Sequence, residues 1–254
     1  MGAKMNMASP KILFVSVMRK YRASLIALPL LVSCIAQAAS TLDIRLSVGA
    51  NNYEWTPAIL AVGDGTYKVN DVGYNPPGSS LLCYNMTLDY DPFISASVDV
   101  VNNTLAVQNY TLTFTLPILA IPGSSFIGGS TQGGLTDANF DSVGTLSTVG
   151  ASALYYGQID GVNVLPLFAA PRSMVVPFQG GSTNASASAG LPGPTIPGPA
   201  VLTSIGIQHQ FSLTPGDRAT FTSFFVVVNA VPEPGSLSLL AIGGLAMFVS
   251  RRRR

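Results

Sequence analysis

The chain is predicted to fold as an all-β protein, an antiparallel β-sandwich with jelly-roll or immunoglobulin-like topology. Three observations predict it. Apolar and polar residues alternate with a period of two over long stretches between residues 39 and 230, the pattern of half-buried strands. The breaks carry turn chemistry: Asp91-Pro92, Asn102-Asn103, Pro122-Gly123, Asp160-Gly161 and Pro215-Gly216-Asp217. The span lacks convincing 3.6-residue periodicity and is rich in Ser, Thr, Gly, Asn and Val, a usage that favours strands and turns over helices.

Residues 1–38 read as a signal peptide, with Met18 a second candidate start. Arg19, Lys20 and Arg22 precede an apolar run from Ala23 to Ile35, and Ala36-Gln37-Ala38 fits the small-x-small rule for signal peptidase. Leu31-Val32-Ser33-Cys34 also resembles a bacterial lipobox, so lipidation of Cys34 is the competing outcome. The body, 39–230, is long enough for one well-covered domain.

Within the body the strands follow one another closely. Thr41 to Val48 and Gly65 to Val69 are candidates. Leu82, Tyr84, Met86, Leu88 and Tyr90 alternate with Cys83, Asn85, Thr87 and Asp89, which puts Cys83 on the polar face. Ile94, Ala96, Val98 and Val100 form the apolar face of the next strand, and Tyr110, Leu112, Phe114 and Leu116 that of the one after. Ser142 to Val149 and Val201 to Leu213 are further candidates. Phe221 to Val228 is more continuously apolar, as a central strand should be. Gly180 to Pro199, dominated by Ser, Ala, Gly and Pro, reads as a long surface loop at 180–199.

Charge narrows the function. Of thirteen Lys and Arg, five precede residue 39 and four end the chain, leaving Arg45, Lys68, Arg172 and Arg218. Eleven of the twelve acidic residues lie in the body, which therefore carries a formal charge near −7 rather than the +1 of the whole chain. Nucleic acid is excluded as a partner, because phosphate binding needs clustered Lys and Arg. Removal of Cys34 with the leader would leave Cys83 alone, with no internal disulfide.

Few residues suggest chemistry. His209 is the single histidine and has no Gly-x-Ser-x-Gly elbow to serve. Tyr53 and Trp55 flank Glu54, and an exposed aromatic pair beside a carboxylate can stack on sugar rings; the alternative is Trp55 as a core anchor. Asp137, Asn139 and Asp141 have the i, i+2, i+4 oxygen spacing of a calcium loop. Ser142 stands where that loop needs Gly and Thr148 where it needs Glu, so a plain Asp/Asn turn competes with a looser calcium site. No other cofactor is expected.

The last residues, 231–254, form a separate tail. Pro232-Glu233-Pro234 is followed by an apolar segment, 235–250, and by Arg251, Arg252, Arg253 and Arg254. As a helix that segment is ~24 Å long, short of the ~30 Å hydrocarbon core, so it would span only with bilayer thinning or arginine snorkelling. The four arginines would resist translocation and keep the terminus cytoplasmic. This order of motif, short transmembrane helix and basic cluster resembles a PEP-CTERM sorting signal. The resemblance implies an exosortase as partner, membrane retention, processing near Pro-Glu-Pro, and release to the cell surface or matrix. It implies nothing about catalysis.

The expected function is that of a surface-directed, non-enzymatic structural protein associated with an exopolysaccharide matrix. Two alternatives are a carbohydrate-binding module for that polysaccharide and a glycan-acting hydrolase, the last requiring a convergent carboxylate pair. The tail gives the first prediction. With so short a span, the arginines must act as the stop, so replacing all four by Ser should let unprocessed protein enter the periplasm. Fractionation checks this; wild-type anchoring and processing of the Ser variant would contradict it.

Overall fold

A computed structural model describes residues 41–63, 65–69, 71–89 and 92–230. The leader at 1–38, its cleavage residues Ala36 and Ala38, and the whole tail at 231–254 lie outside the described residues. Among these residues there are seventeen strands and no helix long and apolar enough to cross a membrane.

In chain order the strands are β1 (Asp43–Val48), β2 (Asn51–Trp55), β3 (Ile59–Gly63), β4 (Thr66–Val69), β5 (Val72–Tyr74) and β6 (Ser79–Asp89). Then come β7 (Phe93–Asn102), β8 (Gln108–Pro117), β9 (Ser125–Thr136), β10 (Gly144–Ser147), β11 (Tyr155–Ile159) and β12 (Val162–Leu167). The last are β13 (Ser173–Val176), β14 (Ser182–Ala189), β15 (Ile196–Gly198), β16 (Ser204–Leu213) and β17 (Arg218–Asn229). One sheet runs β12-β11-β16-β8-β1-β2, with β10 joining β16 to β13. The other runs β14-β9-β17-β7-β6-β4-β3, with β15 added to β9 and β5 to β6. The strand pairings are antiparallel, and the two sheets share one apolar core.

Period-two patterning decides which side of each strand is buried. In β8, Tyr110, Leu112, Phe114 and Leu116 are fully buried. Register aligns them with β1 and β16, giving the core rows Val48-Tyr110-Phe211, Leu46-Leu112-His209 and Ile44-Phe114-Ile207. The facing sheet supplies Val98 and Val100 from β7 and Phe221, Phe225 and Val227 from β17. As expected of its apolar run, β17 is central, between β7 and β9.

Three expectations need correction. First, the inward phase of β6 changes along the strand. Leu81 and Cys83 are buried in its first half and Met86 and Leu88 in its second, while Leu82 is exposed. The register against β7 slips between Tyr84 and Thr87, and Asn85 there has φ of 51°. The inserted residue of a β-bulge shifts the alternation by one, and Asn tolerates the left-handed backbone it needs. Second, Cys83 is therefore not on the polar face. It is fully buried, and loss of hydration pushes its thiol up to about 12. Third, residues 180–199 are not a loop throughout, since they contain β14 and β15. In β14, Thr183, Ala185, Ala187 and Ala189 are half-buried and Ser182, Asn184, Ser186 and Ser188 exposed. The alternation exists, but in side chains too small to look apolar.

Polar groups also enter the core, His209 among them. His209 is fully buried, stacked on Phe221 at 4.4 Å with Tyr155 edge-on at 5.7 Å. Its Nε2 lies 3.1 Å from Ser223 Oγ, which lies 2.8 Å from Thr131 Oγ1, so a polar chain links the two sheets. Nδ1 lies near the Leu154 backbone without making a hydrogen bond. Burial holds the imidazole neutral and lowers its pKa from 6.5 to about 3. Between those values the unfolded chain binds the proton and the folded one does not. Stability is therefore full above pH 6.5 and falls as pH drops toward 3. Thermal melts should show Tm falling between pH 6.5 and 5.5, where ordinary carboxylates stay ionised, and a flatter profile in His209→Asn. Parallel profiles would contradict the assignment.

Candidate functional site

The expected calcium loop connects β9 to β10. Asp137 is only 1% exposed. Its Oδ1 accepts from the Asp141 amide at 3.3 Å, and its Oδ2 from the amides of Ser142 and Gly180, both at 3.0 Å. Asn139 Oδ1 also accepts from the Asp141 amide, and its Nδ2 donates to Asp141 Oδ2 and to the Pro215 carbonyl, both at 2.9 Å. Asp141 Oδ1 accepts from the Val143 amide at 2.9 Å. The three side chains are thus brought together, with their oxygens turned to backbone amides except Asp141 Oδ2, which takes the Asn139 side-chain amide.

The bracing has a visible consequence. Phe140 and Ser142 adopt φ of 62° and 72°, a region unfavourable to residues with side chains. Asp137 holds that backbone in place, and Phe140 stays largely exposed. Asp217, a residue the sequence did not single out, packs against the same loop. It is buried, its Oδ2 takes the Thr214 hydroxyl, and its Oδ1 has no hydrogen-bond partner. Burial raises its pKa; the Thr214 hydroxyl opposes this, and the charges of Asp141 and Asp137 add to it. Among the described residues no group of three or more His, Cys, Asp or Glu is arranged to hold a metal ion.

Tyr53 and Trp55 lie on β2, at the edge of the first sheet. Trp55 pairs with Ile44 and Tyr53 with Leu46, both core residues, so the two aromatics face inward. Tyr74 of β5 pairs with Leu81 of the other sheet and stays partly open to solvent at the edge. Its ring stacks on Trp55 at 5.1 Å and 27°, and meets Tyr53 at 5.7 Å. The trio closes the open edge of the sandwich, with Trp55 Nε1 buried and without a hydrogen bond. Glu54 points outward and pairs with Arg45 at 2.9 Å, an exposed contact worth little. One face of Trp55 is therefore covered by Tyr74 rather than presented to a sugar.

A hollow of about 360 Å³ lies where β6 is bulged, lined by Lys68, Val69, Asp71, Asn85, Met86 and Thr87. Sequence reading missed it because a bulge leaves only a phase change in the alternation. That change is visible in the pair Cys83 and Met86, both apolar and three residues apart.

The sorting residues Pro232, Glu233 and Pro234 and the arginines Arg251 to Arg254 lie outside the described residues. Residues 230–254 match the family model of the PEP-CTERM protein-sorting motif. The chain thus carries this motif, consistent with an exosortase substrate sorted to the cell surface or beyond. No curated protein matches the chain.

The Asp137 geometry yields a prediction. Asp137→Ala leaves the Ser142 and Gly180 amides without their acceptor, the Asp141 amide keeping Asn139 Oδ1, and should cost about 2–4 kcal/mol in urea unfolding. EDTA should leave the wild-type Tm unchanged. A Tm drop of several degrees on chelation, absent in Asp141→Ala, would show instead that the loop binds calcium.

Proposed function

We propose that this chain is a non-enzymatic surface protein whose β-sandwich takes a structural place in an exopolysaccharide matrix after exosortase sorting. The observation that carries this reading is the sorting motif at 230–254. In this reading signal peptidase removes the leader, the segment at 235–250 holds the protein in the membrane, and the exosortase frees it near Pro232-Glu233-Pro234. The surface of the body is in keeping with such a role. The outer face of the first sheet carries Thr111, Thr113 and Thr115 beside Gln210, Gln208 and Gly206. That of the second carries rows such as Ser186-Gln132-Thr222-Ser97. These are broad, flat, mostly uncharged hydrogen-bonding surfaces, suited to a hydrated polymer.

Carbohydrate recognition at a defined site is the second reading. The hollow beside Lys68 favours it over stacking on Tyr53 and Trp55, whose rings close the sandwich edge.

Expression in an exosortase-bearing host and in a strain lacking the peptidase tests the proposal. The protein should reach the surface or medium in the first and stay membrane-bound and larger in the second. It should co-fractionate with polysaccharide when released. Equal release from both strains would contradict sorting, and release without polysaccharide would contradict the matrix role.

A further inference from the structure

We infer that the hollow on the bulged part of β6 is a binding subsite for one uncharged sugar residue of a glycan. The inference deepens the carbohydrate-binding reading and rests on it for the class of ligand; its position rests on the fold alone.

The sheet is interrupted here from both sides. β4 pairs with β6 from Asp89 back to Met86, and β5 pairs with it from Cys83 to Leu81. Among the described residues no strand pairs with Tyr84 or Asn85 on that side. On the other side the register to β7 slips over the same residues. The bulge holds Asn85 in a left-handed conformation, and conformations of this kind recur where a side chain must be aimed at a site. At about 360 Å³ the hollow is within the usual range for small-ligand sites.

The lining chooses among ligands. Lys68 offers up to three donors, Asp71 two acceptor oxygens, Asn85 both kinds, and Thr87 a hydroxyl that does either. Lys68 and Asp71 form no ion pair with each other, and Lys68 pairs with no carboxylate among the described residues. Both keep their hydrogen-bonding capacity. The formal charge of the lining is zero. An anionic ligand would meet Asp71, a cationic one Lys68, and a polyanion would also be repelled by a body near −7. Vicinal hydroxyls, each donor and acceptor at once, satisfy all four side chains without bringing a charge.

The test is calorimetric titration of the purified full chain in detergent with neutral hexaoses of glucose, mannose and galactose, and with polygalacturonate. At least one neutral hexaose should bind, and Lys68→Ala should weaken it tenfold or more. Asn85→Gly should weaken it similarly while leaving Tm unchanged or higher, because glycine adopts the left-handed backbone without strain. That variant separates lost recognition from lost folding. Preference for polygalacturonate, or no neutral binding up to about 10 mM, would overturn the inference. Neutral binding unaltered in both variants would also overturn the subsite, while leaving carbohydrate recognition elsewhere on the body standing.

Discussion

The ring of Phe225 occupies the space that a side chain on Gly157 would need, and this contact sets how closely the two sheets approach. Gly157 lies on β11 in line with the core residues Ile207 and Phe114, so its missing side chain faces the opposite sheet. Directly beside Phe225, Gly129 of β9 is equally constrained. A Cβ there would come within 2.9 Å of Leu165 Cδ2 and of the Tyr155 hydroxyl. Aromatic rings on one sheet thus fill space left by glycines on the other, as close packing requires. Tyr155 reaches across the same gap to donate to the Phe224 carbonyl at 2.9 Å, and His209 reaches Ser223. These polar contacts hold one relative placement of the sheets, where apolar packing alone would tolerate sliding.

With the sheets so fixed, the chain has latitude at their edges and ends. Asp137 braces a backbone that bends unfavourably twice, and Asp160 does similar work for the turn before β16. Asp160 accepts from the amides of Leu202, Thr203 and Ser204, and these hydrogen bonds hold its carboxyl below the usual range against a raising effect of burial. Among the described residues Asp99 binds Arg218 and Glu54 binds Arg45, whereas Asp137 and Asp160 serve as acceptors for main chain. Side-chain carboxylates acting on backbone donors are a way to stabilise long connections in a chain with so few lysines and arginines.

The sandwich was legible wherever strands carry large apolar residues on one face. β7, β8, β16 and β17 follow their alternation directly, and β1, β4 and β10 lie within the spans 41–48, 65–69 and 142–149 read as candidate strands. Legibility failed where the physical signal is carried by something other than hydrophobicity. β14 alternates Ser with Ala, and its partner β9 is built around Gly128, Gly129, Gly133 and Gly134, so both strands earn their place by close approach rather than by apolar bulk. β6 misled because one residue at a bulge reverses every side chain before it. At the candidate sites, spacing did place Asp137, Asn139 and Asp141 in one loop. Asp217 joined them from 76 residues beyond Asp141, and no local pattern encodes such a meeting. For Tyr53 and Trp55 the sequence left two readings, and the inward register of β2 is a tertiary fact.

The central claim, that the aromatic-on-glycine contact fixes the sheet spacing, is open to a double-mutant cycle between Gly157 and Phe225, followed by urea unfolding. Gly157→Ala alone should destabilise by about 1–3 kcal/mol, the usual cost of overpacking a filled core. In a Phe225→Ala background the obstructing ring is gone, and the same change should cost little or even help, giving a coupling of at least about 1 kcal/mol. Additive effects of the two substitutions would show that Gly157 yields elsewhere than against Phe225, and that the spacing of the sheets is set by other contacts.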